Sequence, residues 1–517
     1  MRCSILLLLL INTCSALNIV IYVNVVGKSH LSYASHLLDV LHERGHNVDF
    51  VIQRVNDLVR WNGTKNAGRV FSLDIGIPDY WTYTMKHLDG FFDPPVRKIA
   101  DYANFDIVNY AYCELALREG KLEKFLRDGN YDVAMFSSFD FCGNAIIRKA
   151  GIASIVGFCP TPLTRFTYTS IGLPTLPSNY AGPLGGEHDG GFGHRMFHFF
   201  KSAYHHLHRT NYAKKMNALI RKYYGPNFPD VEELSRNVDI ELVNAIDVIE
   251  QPRPISHKVK YIGGVGFGTA IPLTKELKEI LSKKQRTVIF SFGTQVPTDK
   301  IPRRIREAFA NAFQKFPEVT FLWKYDNVGD EGTMFENKTN VHRMQWLPQT
   351  DLLQDPRVVG FISHMGLNSY IESTRAGVPL VAIPLFVDQF HNAKNAVDRQ
   401  LAIQLEKHKL TEDNIVSALK KLIYDPKYLQ NARNVAKMIN NSPDDPKETF
   451  IKWVEFAAAN PNLHKVLNLP GNDQSSFVYY CYDVVLFLTL TVLTVVYIAF
   501  KILKGLMART SVKVKSA

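Results

Sequence analysis

The chain predicts an α/β protein of two parallel-sheet domains followed by one apolar helix near its carboxyl end. Three observations carry this. The run "LNIVIYVN" (17–24) is apolar, a helical pattern follows from about Ser29 to Arg44 and closes at Gly45, and "NVDFVI" (47–52) resumes as strand. Strand, helix and strand in that order are the unit of a parallel sheet. A second series begins at "RTVIFSFGT" (286–294) and continues through "VTFLWKYD" (319–326), "VVGFIS" (358–363) and "PLVAIPLF" (379–386). Such near-continuous apolar runs are what strands buried on both faces require. The third observation is Val484 to Phe500, 17 residues without a charge. A length of 517 residues exceeds one ordinary domain and accommodates two.

The elements follow in order. Residues 1–16 read as a secretory signal peptide: Arg2 is the positive start, "ILLLLLI" the apolar run, and Cys14-Ser15-Ala16 the small residues before a cut. Residues 17–262 form the first domain, in which "YDVAMFSS" (131–138) and "ASIVGFC" (153–159) are further strands around a helix. From Cys159 to Asp239 the pattern changes to a crowd of aromatics, prolines and glycines, then a helical stretch rich in His and Tyr. "DIELVNAIDVI" (239–249) and "VKYIGGVGFG" (259–268) end this half. Gly263, Gly264, Gly266 and Gly268 lack the G-x-G-x-x-G spacing of a dinucleotide site, so 263–284 reads as hinge and linker. Residues 285–460 make the second domain, 461–477 a juxtamembrane stretch, 478–503 a transmembrane helix and 504–517 a basic tail. Lys501, Lys504, Arg509, Lys513 and Lys515 follow the apolar run with no acid, which places that side in the cytoplasm and the body in the lumen. The tail ends "KVKSA", whose lysines resemble a dilysine retrieval signal of the endoplasmic-reticulum membrane.

Net charge is +11, but Arg2 and the five tail cations account for six of these, and the remainder is diluted over the whole body. Nucleic-acid binding, which favours concentrated basic patches, is not expected. Cys3 and Cys14 leave with the signal and Cys481 lies at the membrane edge, so Cys113, Cys142 and Cys159 allow at most one bridge in the body. Sequons stand at Asn62, Asn337 and Asn440, the last weakened by Pro443.

Chemistry concentrates between Gln345 and Asn395. The strand "VVGFIS" ends in His364-Met365-Gly366, where a helix opens. A helix N-terminus offers backbone N–H groups and a positive dipole to a diphosphate, and Gly366 lets the backbone approach. Asn368 and Ser369 add side-chain donors in the first turn, and Glu372 supplies a carboxylate for ribose hydroxyls. Trp346 offers a flat face for a uracil ring and Gln349 an amide beside it. Asp388 and Gln389 follow the next strand and suit the hydroxyls of a hexose. Both groups arrive at carboxyl ends of strands, where open α/β sheets bind ligands. Taken singly, each has a plainer reading, as core packing, a strand-to-helix turn or loop solvation; order and spacing together point to a nucleotide-sugar site.

With this block the chain resembles membrane-bound UDP-glycosyltransferases of the animal type, similar to UDP-glucuronosyltransferases and their invertebrate relatives. The resemblance runs from the first strand to the basic tail. It implies the GT-B arrangement, two facing Rossmann-like domains with the site in the cleft, and late helices near Glu448 to Ala459 packing back across the first domain. By resemblance Trp346 stacks on uracil, Gln349 contacts the ribose region, His364, Gly366, Asn368 and Ser369 hold the diphosphate, Glu372 the ribose, and Asp388 and Gln389 the sugar. Upstream, "VIFSFGT" matches the family's strand and glycine turn, with Ser291, Gly293 and Thr294 as contacts. The 159–239 stretch becomes the acceptor-lining insertion.

The resemblance implies inverting transfer of glucuronate, or alternatively glucose, from a UDP-sugar co-substrate to a small lipophilic hydroxyl compound. No bound cofactor is expected, and without a D-x-D pair no metal. His30, after the first strand, stands at the family's catalytic base; a capping or structural histidine is the plainer reading. Many relatives place an orienting acid after the strand matching "YDVAMF", where this chain has Ser137 and Ser138; Asp140 is the nearest substitute. In vertebrate glucuronosyl enzymes an arginine before the linker helps hold the donor carboxylate, where this chain has Asn244, with Arg253 nearby. Rival readings are an impaired relative that binds UDP-sugar or regulates partners, a single-pass receptor, and a Rossmann oxidoreductase. Homo- or hetero-oligomers are left open.

Overall fold

The computed structural model describes residues 16–515 except 26, 55–58, 75–91, 93–99, 175–190, 268–270, 295, 299–300 and 327–331. The signal-peptide reading and Gly268 lie outside the described residues. The chain forms two compact units, residues 1–467 and 468–517.

The first unit holds two sheets. Strands β1 (Asn18–Val25), β2 (Asn47–Arg54), β3 (Val70–Asp74), β4 (Val133–Ser137), β5 (Ser154–Cys159), β6 (Ile240–Val243) and β7 (Val259–Tyr261) make the first, in the order β3-β2-β1-β4-β5-β6-β7. Strands β8 (Arg286–Ser291), β9 (Val319–Lys324), β10 (Val341–Met344), β11 (Val358–Ser363), β12 (Leu380–Ala382) and β13 (Ala402–Gln404) make the second, in the order β10-β9-β8-β11-β12-β13. Every pairing is parallel, from Asn18 opposite Asn47 in the first sheet to Phe361 opposite Leu380 in the second. Both sheets are doubly wound, and their strand order reverses between β1 and β4 and between β8 and β11. Ligands bind at such switch points, beyond the carboxyl ends of the strands.

Three strands absent from the sequence reading, β3, β10 and β13, are all sheet edges. Edge strands are short and partly wet, so they lack the unbroken apolar run that marks a central strand. The central strands pack as their sequences suggest. One face of the first sheet buries Ile19, Ile21, Val23 and Phe50 against Leu37 and Leu41 of the helix Lys28–Glu43. The second domain has an aromatic core, with Phe313 stacked on Phe321 at 4.1 Å and Phe290 on Trp323 at 4.7 Å.

The helix Pro446–Ala459 returns to the first sheet. Phe450, Ile451, Val454 and Ala457 are buried in the first domain's core, and Ser154 Oγ donates to the Ala457 carbonyl at 2.9 Å. The segment read as linker is tightly packed. A Cβ on Gly264 would meet Arg375 Nη1 at 2.4 Å, and one on Gly266 would meet His36 Cβ at 2.3 Å. Its helix, Lys275–Ser282, buries Leu277 and Leu281 in the core of the second domain. Cys113 and Cys142 form a disulfide, leaving Cys159 buried and reduced.

In the second unit one long helix runs Tyr482–Lys515. Its stretch Tyr482–Met507 has a mean hydropathy of 2.3, and it is the one described helix long and apolar enough to cross a membrane. It starts four residues later than the sequence suggests, after a left-handed Cys481 (φ 54°).

Candidate active site

The two switch points carry most of the singled-out residues. Beyond β8 lie Gly293 and the exposed Thr294; beyond β11 lie His364, Met365 and Gly366. The His364 ring sits between the two glycines. A Cβ on Gly366 would stand 2.6 Å from Nε2, and one on Gly293, whose φ is +73°, would stand 2.8 Å from Cε1. Only glycine fits at either position. Burial lowers the His364 pKa to about 4, so the imidazole is neutral, and among the described residues its Nδ1 has no hydrogen-bond partner. Ser291 Oγ accepts from the Gly293 N–H at 3.1 Å, and Ser363 Oγ accepts from the Met365 N–H at 3.0 Å. Met365 takes φ 66°, a left-handed backbone that costs energy in a non-glycine residue and aims the turn.

The helix Leu367–Ala376 begins at Gly366 with no side chain capping it, which leaves its first N–H groups available to an anion. Gln349 Nε2 donates to Ser369 Oγ at 3.1 Å and to Glu372 Oε2. Gln349, Ser369 and Glu372 thus hold one another. Burial raises the Glu372 pKa to about 7. Trp346, on the loop after β10, is 63% exposed, with Lys28 Nζ 5.8 Å from its ring centre. An indole left this open has a face to offer a ring.

Asp388 precedes the helix Gln389–Asp398. Burial raises its pKa to about 6, and its Oδ2 accepts from Asn392 Nδ2 at 3.1 Å. The same Nδ2 donates to the Met365 carbonyl at 2.9 Å, so Asn392 ties Asp388 to the turn after β11. Gln389 Oε1 accepts from the backbone N–H groups of Leu385 and Phe386, at 2.9 and 3.1 Å. Its carbonyl end therefore braces its own loop, and only the amide nitrogen can reach outward. Val387 just before it has φ 51°, a strained state for a β-branched residue.

The first domain meets this surface at three places. Lys28, two residues before His30, reaches Trp346. Asn244, after β6, donates to Asn368 Oδ1 at 3.3 Å and to the Pro160 carbonyl at 3.2 Å. Glu250 Oε1 lies 2.6 Å from His391 Nε2 and 2.8 Å from Arg253 Nη2. Burial acts to raise the Glu250 pKa, but His391 and Arg253 outweigh it and hold it at about 2.

His30 stands where expected, in the first turn after β1, partly exposed and tilted against Phe139 at 5.6 Å. Burial lowers its pKa to about 4, against a hydrogen bond with the Asn24 backbone that acts to raise it. The orienting role expected for Asp140 is not what its side chain does. Asp140 is the N-cap of the helix Phe141–Lys149, accepting from the Cys142 and Gly143 N–H groups at 2.9 and 3.2 Å. Among the described residues no hydrogen bond or ion pair joins it to His30. An aspartate one residue before a helix is a cap by default, and that signal was already present in "FDFCGN". Asn62, Asn337 and Asn440 are exposed, although Asn440 closes a helix and donates to the Arg375 carbonyl at 3.4 Å. Sequence reasoning missed Lys28, Asn392, Glu250 and His391; the i, i+4 spacing of Asp388 and Asn392 was the one legible hint.

Comparison with known proteins places this geometry. The profile of the family described as "UDP-glucoronosyl and UDP-glucosyl transferase" matches residues 20–516. The chain is 28% identical to the Caenorhabditis elegans protein ugt-50, over 86% of each chain. It is 26% identical to UDP-glucosyltransferase 2 of Dactylopius coccus, over 96% of this chain and 94% of that one, and 26% identical to human UDP-glucuronosyltransferase 1A8, over 92% and 89%. Among solved structures, the glycotransferase of kitacinnamycin aligns with a TM-score of 0.61 at 16% identity, over 86% of this chain and 99% of that one. CalG4, the calicheamicin glycosyltransferase, aligns at 0.58 and 17%, over 86% and 99%. At that identity these two share the fold.

Proposed function

Because this chain belongs to the family of UDP-glucuronosyl and UDP-glucosyl transferases, and is therefore a glycosyltransferase of GT-B fold, we propose that it moves a hexose from UDP to a hydroxyl of a small lipophilic acceptor with inversion. Its place is the endoplasmic-reticulum membrane, with the body in the lumen. The observation that carries the reading is the contact of Lys28 with Trp346. It sets the turn that bears His30 against the loop that offers a face to uracil, so base and donor share one cleft.

In this reading the diphosphate lies at the uncapped start of the helix Leu367–Ala376, and the helix dipole offsets charge building on the leaving UDP. Gln349 and Glu372 take the ribose hydroxyls. Asp388 and the Gln389 amide take the sugar. His30, neutral above about pH 4, removes the acceptor proton as its oxygen attacks the anomeric carbon from the face opposite UDP, and a β-glycoside forms from an α-linked donor. Asp140 Oδ1 is given to a helix start, and among the described residues no carboxylate is bonded to the imidazole. Burial sets its neutral form, and Phe139 sets its tilt.

Glucose is the donor sugar this geometry favours over glucuronate. Asn244 carries no charge, and the Arg253 guanidinium is ion-paired with Glu250 at 2.8 Å. A uronate carboxylate would have to compete with Glu250 for that cation. The test is turnover by membranes containing the full chain, with a panel of phenols and sterols and each donor offered separately. A glycoside mass from UDP-glucose supports the reading. Product from UDP-glucuronate alone overturns the donor assignment, and binding of UDP without product from either overturns the enzymatic one for these acceptors.

A further inference from the structure

Contacts from both halves of the site meet at one buried amide, that of Asn244. β6 ends at Val243, and the Asn244 N–H extends the ladder by donating to the Cys159 carbonyl at 3.0 Å. Asn244 therefore stands at the carboxyl edge of the first sheet. Its side-chain nitrogen carries two N–H groups, and both are engaged. One donates to the Pro160 carbonyl at 3.2 Å, where the stretch read as acceptor-lining opens after β5. The other donates to Asn368 Oδ1 at 3.3 Å, across 124 positions of chain. These bonds fix a direction. The Pro160 carbonyl can only accept, so reversing the Asn244 amide would set its oxygen against two acceptors at once. Reversing the Asn368 amide would set nitrogen against nitrogen. Either reversal leaves buried groups unpaired, which costs more than a bond gives. Asn368 thus keeps its oxygen toward the first domain. Its Nδ2, which no other described residue engages, is left for the start of the helix Leu367–Ala376, where no side chain caps the backbone. Beside an anion the direction of an amide matters, because its nitrogen donates and its oxygen repels.

We propose that Asn244 is a positioning residue for the donor diphosphate: it holds the Asn368 amide with Nδ2 toward the anion at the start of the helix Leu367–Ala376. The inference rests on the reading that puts the diphosphate there. The backbone N–H groups of that turn belong to the second domain, but the polarity of its Asn368 donor is set by a carbonyl of the first. The grip on the diphosphate is complete only with the two halves in contact, which ties donor retention to the strand end where the acceptor-lining stretch opens. An amide suits position 244 and a carboxylate does not. Aspartate there, nearly the same size but acceptor-only when ionised, would draw the Asn368 Nδ2 to itself and turn the Asn368 oxygen to the phosphate.

The test is a double-mutant cycle on UDP and uridine affinity, measured by calorimetry with the full chain in detergent micelles. Asn244→Leu and Asn368→Ala should each weaken UDP binding roughly tenfold, as loss of a hydrogen bond to a charged group does. Both should leave uridine, which lacks the diphosphate, within error. The double variant should bind UDP no more weakly than Asn368→Ala alone, because Asn244 acts through Asn368. Asn244→Asp should weaken UDP more than Asn244→Leu and again spare uridine, and it supplies the measurement if the leucine variant does not fold. UDP affinity unchanged by substitution at 244, losses that add in the double variant, or equal losses of UDP and uridine would each overturn the positioning role. An Asn368→Ala chain that binds UDP as the wild type does overturns instead the placement of the diphosphate at this helix, and the inference with it.

Discussion

At the scale of single residues, the site is an exercise in what burial does to titratable groups. His30 and His364 are both held neutral by burial, with pKa values near 4, and they are asked for different things. His364 sits between two glycines and shapes the turn proposed to take the diphosphate. His30 keeps some exposure, and in the proposed reaction it takes the proton from the acceptor hydroxyl. His30→Ala is expected to lower turnover by about 10²-fold or more while UDP affinity, followed by calorimetry, stays within error. Because the shift of His30 is downward, its own titration should not limit turnover between pH 5 and 7. An acid limb with a midpoint near 6.5 that disappears in His30→Ala would contradict the lowered pKa of the buried imidazole. Gly366→Ala should do the reverse. A methyl 2.6 Å from His364 Nε2 must displace that ring, and UDP affinity should fall by roughly tenfold or more, as expected for a misplaced anion turn.

At the scale of elements, strand ends and helix starts do the positioning, and caps distinguish structural acids from chemical ones. Asp140 accepts two backbone N–H bonds at the start of the helix Phe141–Lys149. Asparagine caps a helix about as well as aspartate. Asp140→Asn should therefore leave turnover within a few-fold of wild type, whereas Asp140→Ala should lower stability by about 1 kcal/mol or somewhat more. A loss of turnover in Asp140→Asn comparable to that of His30→Ala would restore the orienting role. The helix Gln389–Asp398 is the other decisive element. Asn392 links the Asp388 carboxylate to the Met365 carbonyl, and His391 and Asn395 grip Glu250 of the first domain. Removing one member of a buried ion pair leaves the other charge uncompensated. Glu250→Gln should raise the KM for UDP-sugar more than it lowers kcat, because the helix that bears Asp388 loses its brace. An unchanged KM would show that the brace is not needed for donor binding.

At the scale of the whole molecule, stability should depend on pH through a buried pair in the first domain. Glu241, on β6, is fully buried, its pKa raised to about 7 by burial, and Lys258 is lowered to about 7 by the same cause. The folded state holds a proton on Glu241 that the unfolded chain releases near 4.5, so this contribution is complete below pH 4.5 and is lost as pH rises through 7. The full shift corresponds to about 3 kcal/mol. Glu241→Gln should flatten that limb, with a midpoint of thermal unfolding close to wild type at pH 5 and above it at pH 8. Lys258 works on the other side of neutrality: its depressed pKa favours folding only above pH 7. Equal pH dependence of wild type and Glu241→Gln would remove Glu241 from the account.

Much of this protein was legible in its residues because the signals are local. Parallel central strands announce themselves as apolar runs, a helix start after a strand announces an anion turn, and an uncharged stretch of bilayer length announces an anchor. Those signals carried the α/β class of two parallel-sheet domains and the family resemblance, and they named the residues from Trp346 to Gln389 and His30 as candidates. Only the folded chain shows that Lys28 reaches Trp346, that Glu250 closes on His391 some 141 positions away, that the helix Lys275–Ser282 belongs to the second core, and that Phe192, Met196, Phe200 and Leu207 face outward. Those are contacts between elements distant in sequence, or choices of which face of a helix to bury, and periodicity states that a helix has two faces without stating which one the fold will cover.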